Sequence, residues 1–138
     1  MNAPQIDRIL LIDDDDVTAF LVQRLVQKSG MVGTLHRASD GLEGLEMLNA
    51  AARGEAEKPD VILLDINMPR MTGIEFLAAY EQLPETTRSG VVIVMFTTSL
   101  LERDRRTAEA SPHVQGFFNK PLSREQLTEL AALTQYAS

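Results

Sequence analysis

Three short stretches, Ile9-Leu10-Leu11-Ile12, Val61-Ile62-Leu63-Leu64 and Val91-Val92-Ile93-Val94-Met95-Phe96, are apolar at every position and run directly into polar residues. A strand with one wet face alternates apolar and polar residues. An uninterrupted apolar run this short is a strand covered on both faces, the signature of a parallel sheet packed between helices. Two further strand patterns lie at Thr34–Arg37 and Gln115–Phe118. Between the strands the apolar spacing turns helical. Val17–Lys28 places Phe20, Leu21, Leu25 and Val26 on one face and stops at Ser29-Gly30. Leu42–Ala52 repeats Leu42, Leu45 and Leu48, and Ile74–Leu83 offers Ile74, Leu77 and Ala78 before Pro84. Leu100–Ala110 has a thin apolar face. Ser123–Thr134 opens on an S-x-x-Q capping box, Ser123 with Gln126, and carries Leu127, Leu130 and Leu133.

Five strand–helix repeats in this order predict an α/β protein, a doubly wound parallel sheet with right-handed crossovers. With 138 residues the chain is expected to be one domain, 1–138 with its core at about 8–134, and to carry no output domain. It has no cysteine, which excludes disulfides, thiolate metal sites and cysteine nucleophiles. Thirteen Lys and Arg against twenty Asp and Glu give a net charge of -7. The densest basic stretch, Arg103–Arg106, is interleaved with Glu102, Asp104 and Glu109, so no basic stripe offers itself to nucleic acid. No apolar run approaches the ~18 residues of a membrane span, and Met1–Asp7 has no signal-peptide pattern. A cytoplasmic protein without membrane contact is expected.

Ligands of open parallel sheets bind outside the carboxyl ends of the strands. That rule sends several features to one rim. Asp13 and Asp14 follow the first strand, Asp65 the third, Thr97 and Thr98 the fourth, and Lys120 the fifth. Clustered carboxylates repel one another unless a cation sits among them. An all-oxygen donor set without His or Cys suits Mg²⁺, which takes one or two carboxylates, waters and phosphate oxygens. A nearby ammonium and hydroxyl suit a phosphoryl group, and an aspartate can itself be the nucleophile. Singly, each residue has a plainer reading: Asp15 or Asp16 as a helix cap, Asp65 as a turn former, Lys120 as a solvated charge. The EF-hand spacing is absent from Asp13–Asp16, and no glycine-rich nucleotide loop is present.

Four segments in order carry a family resemblance: Ile9–Asp14, Leu63-Leu64-Asp65-Ile66-Asn67-Met68-Pro69-Arg70-Met71-Thr72-Gly73, Val94–Ser99, and Phe118-Asn119-Lys120-Pro121-Leu122. They resemble the receiver domain of two-component response regulators, and the likeness runs from about Arg8 to Leu133. It implies a flavodoxin-like (βα)5 fold with strand order 2-1-3-4-5 and an aspartyl-phosphate switch, not an enzyme acting on other substrates. It implies Asp65 as phosphoacceptor, Asp14 as a direct Mg²⁺ ligand, Asp13 acting through water, and the main-chain carbonyl of Asn67 completing the protein's ligands. Lys120 would pair with phosphoryl oxygens and Thr97 would hydrogen-bond them, with Thr98 and Pro121 supporting the loops. Pro121 stands where the family has a cis peptide. Pro69 and Gly73 would shape the turn after Asp65, with Gly73 supplying a positive φ. Phe117 stands at the family's switching aromatic, where a phenyl ring lacks the usual tyrosine hydroxyl; its plainer reading is a core aromatic. His36 and His113 lie outside the acidic site.

The implied function is a single-domain response regulator that takes a phosphoryl group from a histidine kinase and signals by protein contact. A relay intermediate passing phosphate to a histidine phosphotransfer protein, or a phosphate sink, fits the same residues. A receiver-like interaction module that is never phosphorylated is a different class, and the intact acidic set argues against it. An aspartate-nucleophile phosphatase would want a capping domain and a second acidic cluster, neither of which is visible. The longer segment Ala51–Pro59 and the Arg-rich Leu100–Pro112 are similar to stand-alone regulators beside phytochrome-type and hybrid kinases. A homodimer through the face of the fourth and fifth helices, with Leu100, Leu101 and Leu122, is the other expected contact, besides an unidentified protein target.

Overall fold

A computed structural model describes residues 5–98 and 101–136. The elements alternate through β1 (Ile6–Ile12), α1 (Asp16–Ser29), β2 (Val32–Ala38), α2 (Gly41–Ala52), β3 (Val61–Leu64) and α3 (Gly73–Tyr80). A short α4 (Glu85–Arg88) then precedes β4 (Val92–Thr97), α5 (Glu102–Ala110), β5 (Val114–Asn119) and α6 (Arg124–Tyr136). The five strands are parallel in the order β2-β1-β3-β4-β5, the expected flavodoxin-like arrangement. The one unforeseen element is α4, so the expected fourth and fifth helices are α5 and α6. Leu100 and Ser99 lie outside the described residues.

The apolar runs are strands for the reason their sequence suggested. Along β1, Ile9 and Leu11 face a core made with α1 and α6, while Leu10 and Ile12 face one made with α2, α3 and α5. β3 and β4 divide in the same way: Val61, Leu63, Val92 and Val94 go to the first layer, and Ile62, Leu64, Ile93 and Met95 to the second. Neither side of β3, β4 or the Ile9–Ile12 part of β1 is left to water, which is why neither side is polar there. Earlier in β1, Asp7 is exposed and Arg8 half-buried. Removing such a side chain costs about 2–5 kcal/mol, so this sandwich fixes the register of β1, β3 and β4.

Periodicity placed only part of the buried face of α1: Val26 is buried and Leu25 packs against the core, as expected. Phe20 and Leu21 are exposed, and the helix buries Thr18, Val22 and Val26. Thr18 can be buried because its hydroxyl donates to the carboxylate of Asp15, the N-cap, at 2.8 Å. Leu42 and Ala78 are exposed as well, whereas Phe76 and Tyr80 are core residues of α3. On α6, Leu127 and Leu130 are buried, and the Ser123–Gln126 capping box forms in both directions, at 3.0 and 3.1 Å.

Candidate phosphoryl and metal site

The strands end in step, and this brings the acidic residues together. The amide of Asp13 donates to the Ala38 carbonyl, and the amide of Asp65 to the Ile12 carbonyl, both at 3.0 Å. The ladder therefore runs one residue past β1 and β3 and holds both aspartates at the rim. Thr97 closes β4 and pairs in register with Asn119, and its carbonyl accepts the Lys120 amide at 3.1 Å. The Lys120–Pro121 peptide is cis, at the position the resemblance marked.

Asp13, Asp14 and Asp65 each offer a carboxylate oxygen, and the three lie within 4.8 Å of one another. Asp13 and Asp65 are buried and Asp14 is exposed. Lys120 Nζ lies 2.6 Å from Asp13 Oδ2 and 3.6 Å from Asp65 Oδ2. Asp13 Oδ1 accepts the Asp15 amide at 2.9 Å, while Oδ2 is buried, has ionic contact with Lys120 and makes no aligned hydrogen bond. Asp65 Oδ1 accepts the Ile66 amide at 2.9 Å, leaving Oδ2 on the Lys120 side. Burial, then the charge of Asp13, push the Asp65 carboxyl up to about 6, against the opposing pull of Lys120. Three carboxylates gathered round one ammonium leave a surplus of negative charge at the rim. A hard divalent cation fits that donor set.

The loop after β3 is held by close approach. Gly73 is not at positive φ, contrary to the sequence expectation; a Cβ there would lie 2.3 Å from the Asp65 carbonyl oxygen and 2.9 Å from Ile66 Cα. Its amide donates to the Ile66 carbonyl at 2.8 Å. The residue that does adopt a left-handed conformation is Arg70, at φ 65. Thr72 then caps α3 in a capping box with Glu75, at 3.1 and 2.9 Å.

The structure thus unites Asp13, Asp14, Asp65 and Lys120, and sets Thr97 on the adjoining strand end, where it is buried. Asn67 and Thr98 are exposed beside them, and Pro121 lies on the exposed loop after β5. Phe117 is half-buried against the core of α2, α3 and α5, and the Arg105 guanidinium carbon sits 4.8 Å from its ring centroid. Leu101 is exposed, whereas Leu122 packs against the core. His36 is exposed, and His113 packs edge-on against Tyr80 with Arg88 Nη1 3.1 Å from its Nε2. Sequence reading missed Arg105, and it missed Arg37, whose Nε donates to the Asp13 carbonyl at 3.2 Å. No local spacing encodes either contact. No helix among the described residues is long and apolar enough to cross a membrane.

A family model described as a response regulator receiver domain matches residues 9–132. The chain is similar to the response regulator Rcp1 of Synechocystis sp., at 32% identity over 94% of this chain and 85% of that protein. A solved Mn(2+)-bound form of Rcp1 superposes with a TM-score of 0.71 at 27% identity, covering 94% of this chain and 92% of that one. A two-component response regulator from Cytophaga hutchinsonii gives a TM-score of 0.85 at 30% identity, covering 94% and 97%. The phosphorylated cyanobacterial phytochrome response regulator RcpA gives 0.71 at 27% identity, covering 93% and 88%. Other relatives are longer: the chain spans 54% of the Escherichia coli nitrate/nitrite response regulator protein NarL.

Proposed function

The chain belongs to the response regulator receiver domain family, and on that premise we propose that Asp65 is a phosphoacceptor whose modification switches a protein-contact surface. The observation that carries this reading is the meeting of Asp65 with Asp13, Asp14 and Lys120 at one rim. Asp14, Asp65 and the Asn67 carbonyl would hold Mg²⁺, with Asp13 acting through water. The bound cation offsets the negative charge that gathers on a transferring phosphoryl group.

In the forward step a carboxylate oxygen of Asp65 attacks phosphorus, an O–P bond forms, and the N–P bond of a donor phosphohistidine breaks. The imidazole leaves with the electron pair and takes a proton. Lys120 Nζ, 3.6 Å from Asp65 Oδ2, is placed to pair with the oxygens that arrive. In the return step water attacks phosphorus and releases inorganic phosphate and the Asp65 carboxylate. Thr97 and Phe117 carry the change outward: the hydroxyl gains a phosphoryl acceptor, and the Phe117 ring shifts its packing beneath Arg105. Such a surface acts in the cytoplasm on a protein target, with a histidine kinase, phytochrome-type or hybrid kinases included, or a histidine phosphotransfer protein as donor.

Incubation with radiolabelled acetyl phosphate and Mg²⁺ tests the assignment. Wild type takes up acid-stable, base-labile label, and Asp65→Asn takes up none. Full-strength labelling of Asp65→Asn overturns it. Following label from Asp65 onto a histidine phosphotransfer protein separates a relay from a messenger.

A further inference from the structure

The β3–α3 loop carries both Asp65 and Asn67, and it is tied down at a point outside the acidic cluster. Arg70 Nε donates to Asp40 Oδ2 at 2.6 Å. Asp40 is the N-cap of α2; its other carboxylate oxygen accepts the Glu43 amide at 2.9 Å, and the residue is buried. The next residue repeats the contact: a Cβ on Gly41 would lie 2.8 Å from the Met71 side chain. Two consecutive loop residues therefore lie on the first two residues of the α2 N-terminus. Arg70 is also the one non-glycine among the described residues at positive φ, a conformation L side chains adopt only when surroundings impose it. The Arg70 hydrogen bond holds the Asp40 carboxyl below its ordinary range.

Resting on the metal-site reading above, we propose that Arg70, latched on Asp40, is a positioning residue that holds the Asp65–Asn67 segment ready for the cation. Like-charged Asp13, Asp14 and Asp65 repel one another while no cation is bound, and a free loop would relax outward. Ordering it again would then count against binding. The latch opposes that relaxation from the far side of the loop without touching the cation.

Titration of MgCl₂ into the full chain, followed by amide NMR shifts at pH 7.5, reads affinity and fold together. Wild type binds, and Asp14→Ala loses the site. Arg70→Gly keeps the backbone conformation, since glycine accepts positive φ, so its effect reports the side chain. It raises the Mg²⁺ Kd five- to tenfold while leaving amide shifts remote from the loop unchanged. Arg70→Lys recovers part of that loss. Asp40→Asn retains the cap on Glu43 but weakens the latch, and gives a similar rise. Adding Arg70→Gly to Asp40→Asn gives less than the product of the two effects. Binding unchanged in Asp14→Ala removes the metal-site reading and the latch with it. Binding lost in Asp14→Ala, yet within twofold of wild type in both Arg70→Gly and Asp40→Asn, removes the latch alone.

Discussion

Asp65 gathers the site's conflict into one carboxyl group. Its folded value of about 6 stands above the ordinary carboxylate value of 3.8 because burial and Asp13 disfavour its charge. A group raised in the folded state binds its proton more tightly there than in the unfolded chain. Its contribution to stability is therefore fully present below about pH 4 and is lost as pH rises through about 6. Replacing it with asparagine removes that loss. Asp65→Asn is expected to raise the stability of the metal-free protein by about 1–2 kcal/mol at pH 7.5 and to change little at pH 4. Chemical denaturation at the two pH values checks this; equal effects at both would contradict it. Gly73 shows the opposite constraint, since its missing side chain lets the α3 N-terminus touch the Asp65 carbonyl.

At the level of elements, helix faces were the least legible part of the chain. Of the apolar stripe Phe20, Leu21, Leu25 and Val26, α1 turns Val26 and part of Leu25 inward, but it buries Thr18 and Val22 beside them in place of Phe20 and Leu21. The Asp15 cap satisfies the Thr18 hydroxyl, which makes a polar residue acceptable against the sheet and leaves Phe20 and Leu21 in solvent. Val22→Ala is thus expected to cost about 2 kcal/mol, and Phe20→Ala less than about 0.5 kcal/mol, by equilibrium unfolding. A larger loss at Phe20 would mean that the stripe is core after all. Strands were legible because β3, β4 and the Ile9–Ile12 part of β1 are covered on both faces, so every residue in those stretches reports burial. The strands at the sheet edges, β2 and β5, are partly exposed and gave only short patterns.

Across the whole molecule, the acidic rim sits on the ends of strands that both cores hold in place, and the proposed cation would offset the charge gathered there. Mg²⁺ at 100 times its Kd is expected to stabilise the chain by about 2.7 kcal/mol at pH 7.5. Differential scanning calorimetry should show the melting temperature rise with MgCl₂ and return with a chelator; at pH 4.5, where Asp65 is protonated, the rise should shrink. The sequence by itself determined the parallel sheet, its strand order through the family resemblance, and which residues stand at the carboxyl ends of its strands. Those features are local, because apolar runs and the polar residue that ends each are contiguous in the chain. Only the tertiary structure decided that Arg70 reaches Asp40 across thirty positions, that Arg37 reaches the Asp13 carbonyl, and that Arg105 covers Phe117. Long, flexible side chains choose partners by distance in space, and no spacing along the chain records that choice.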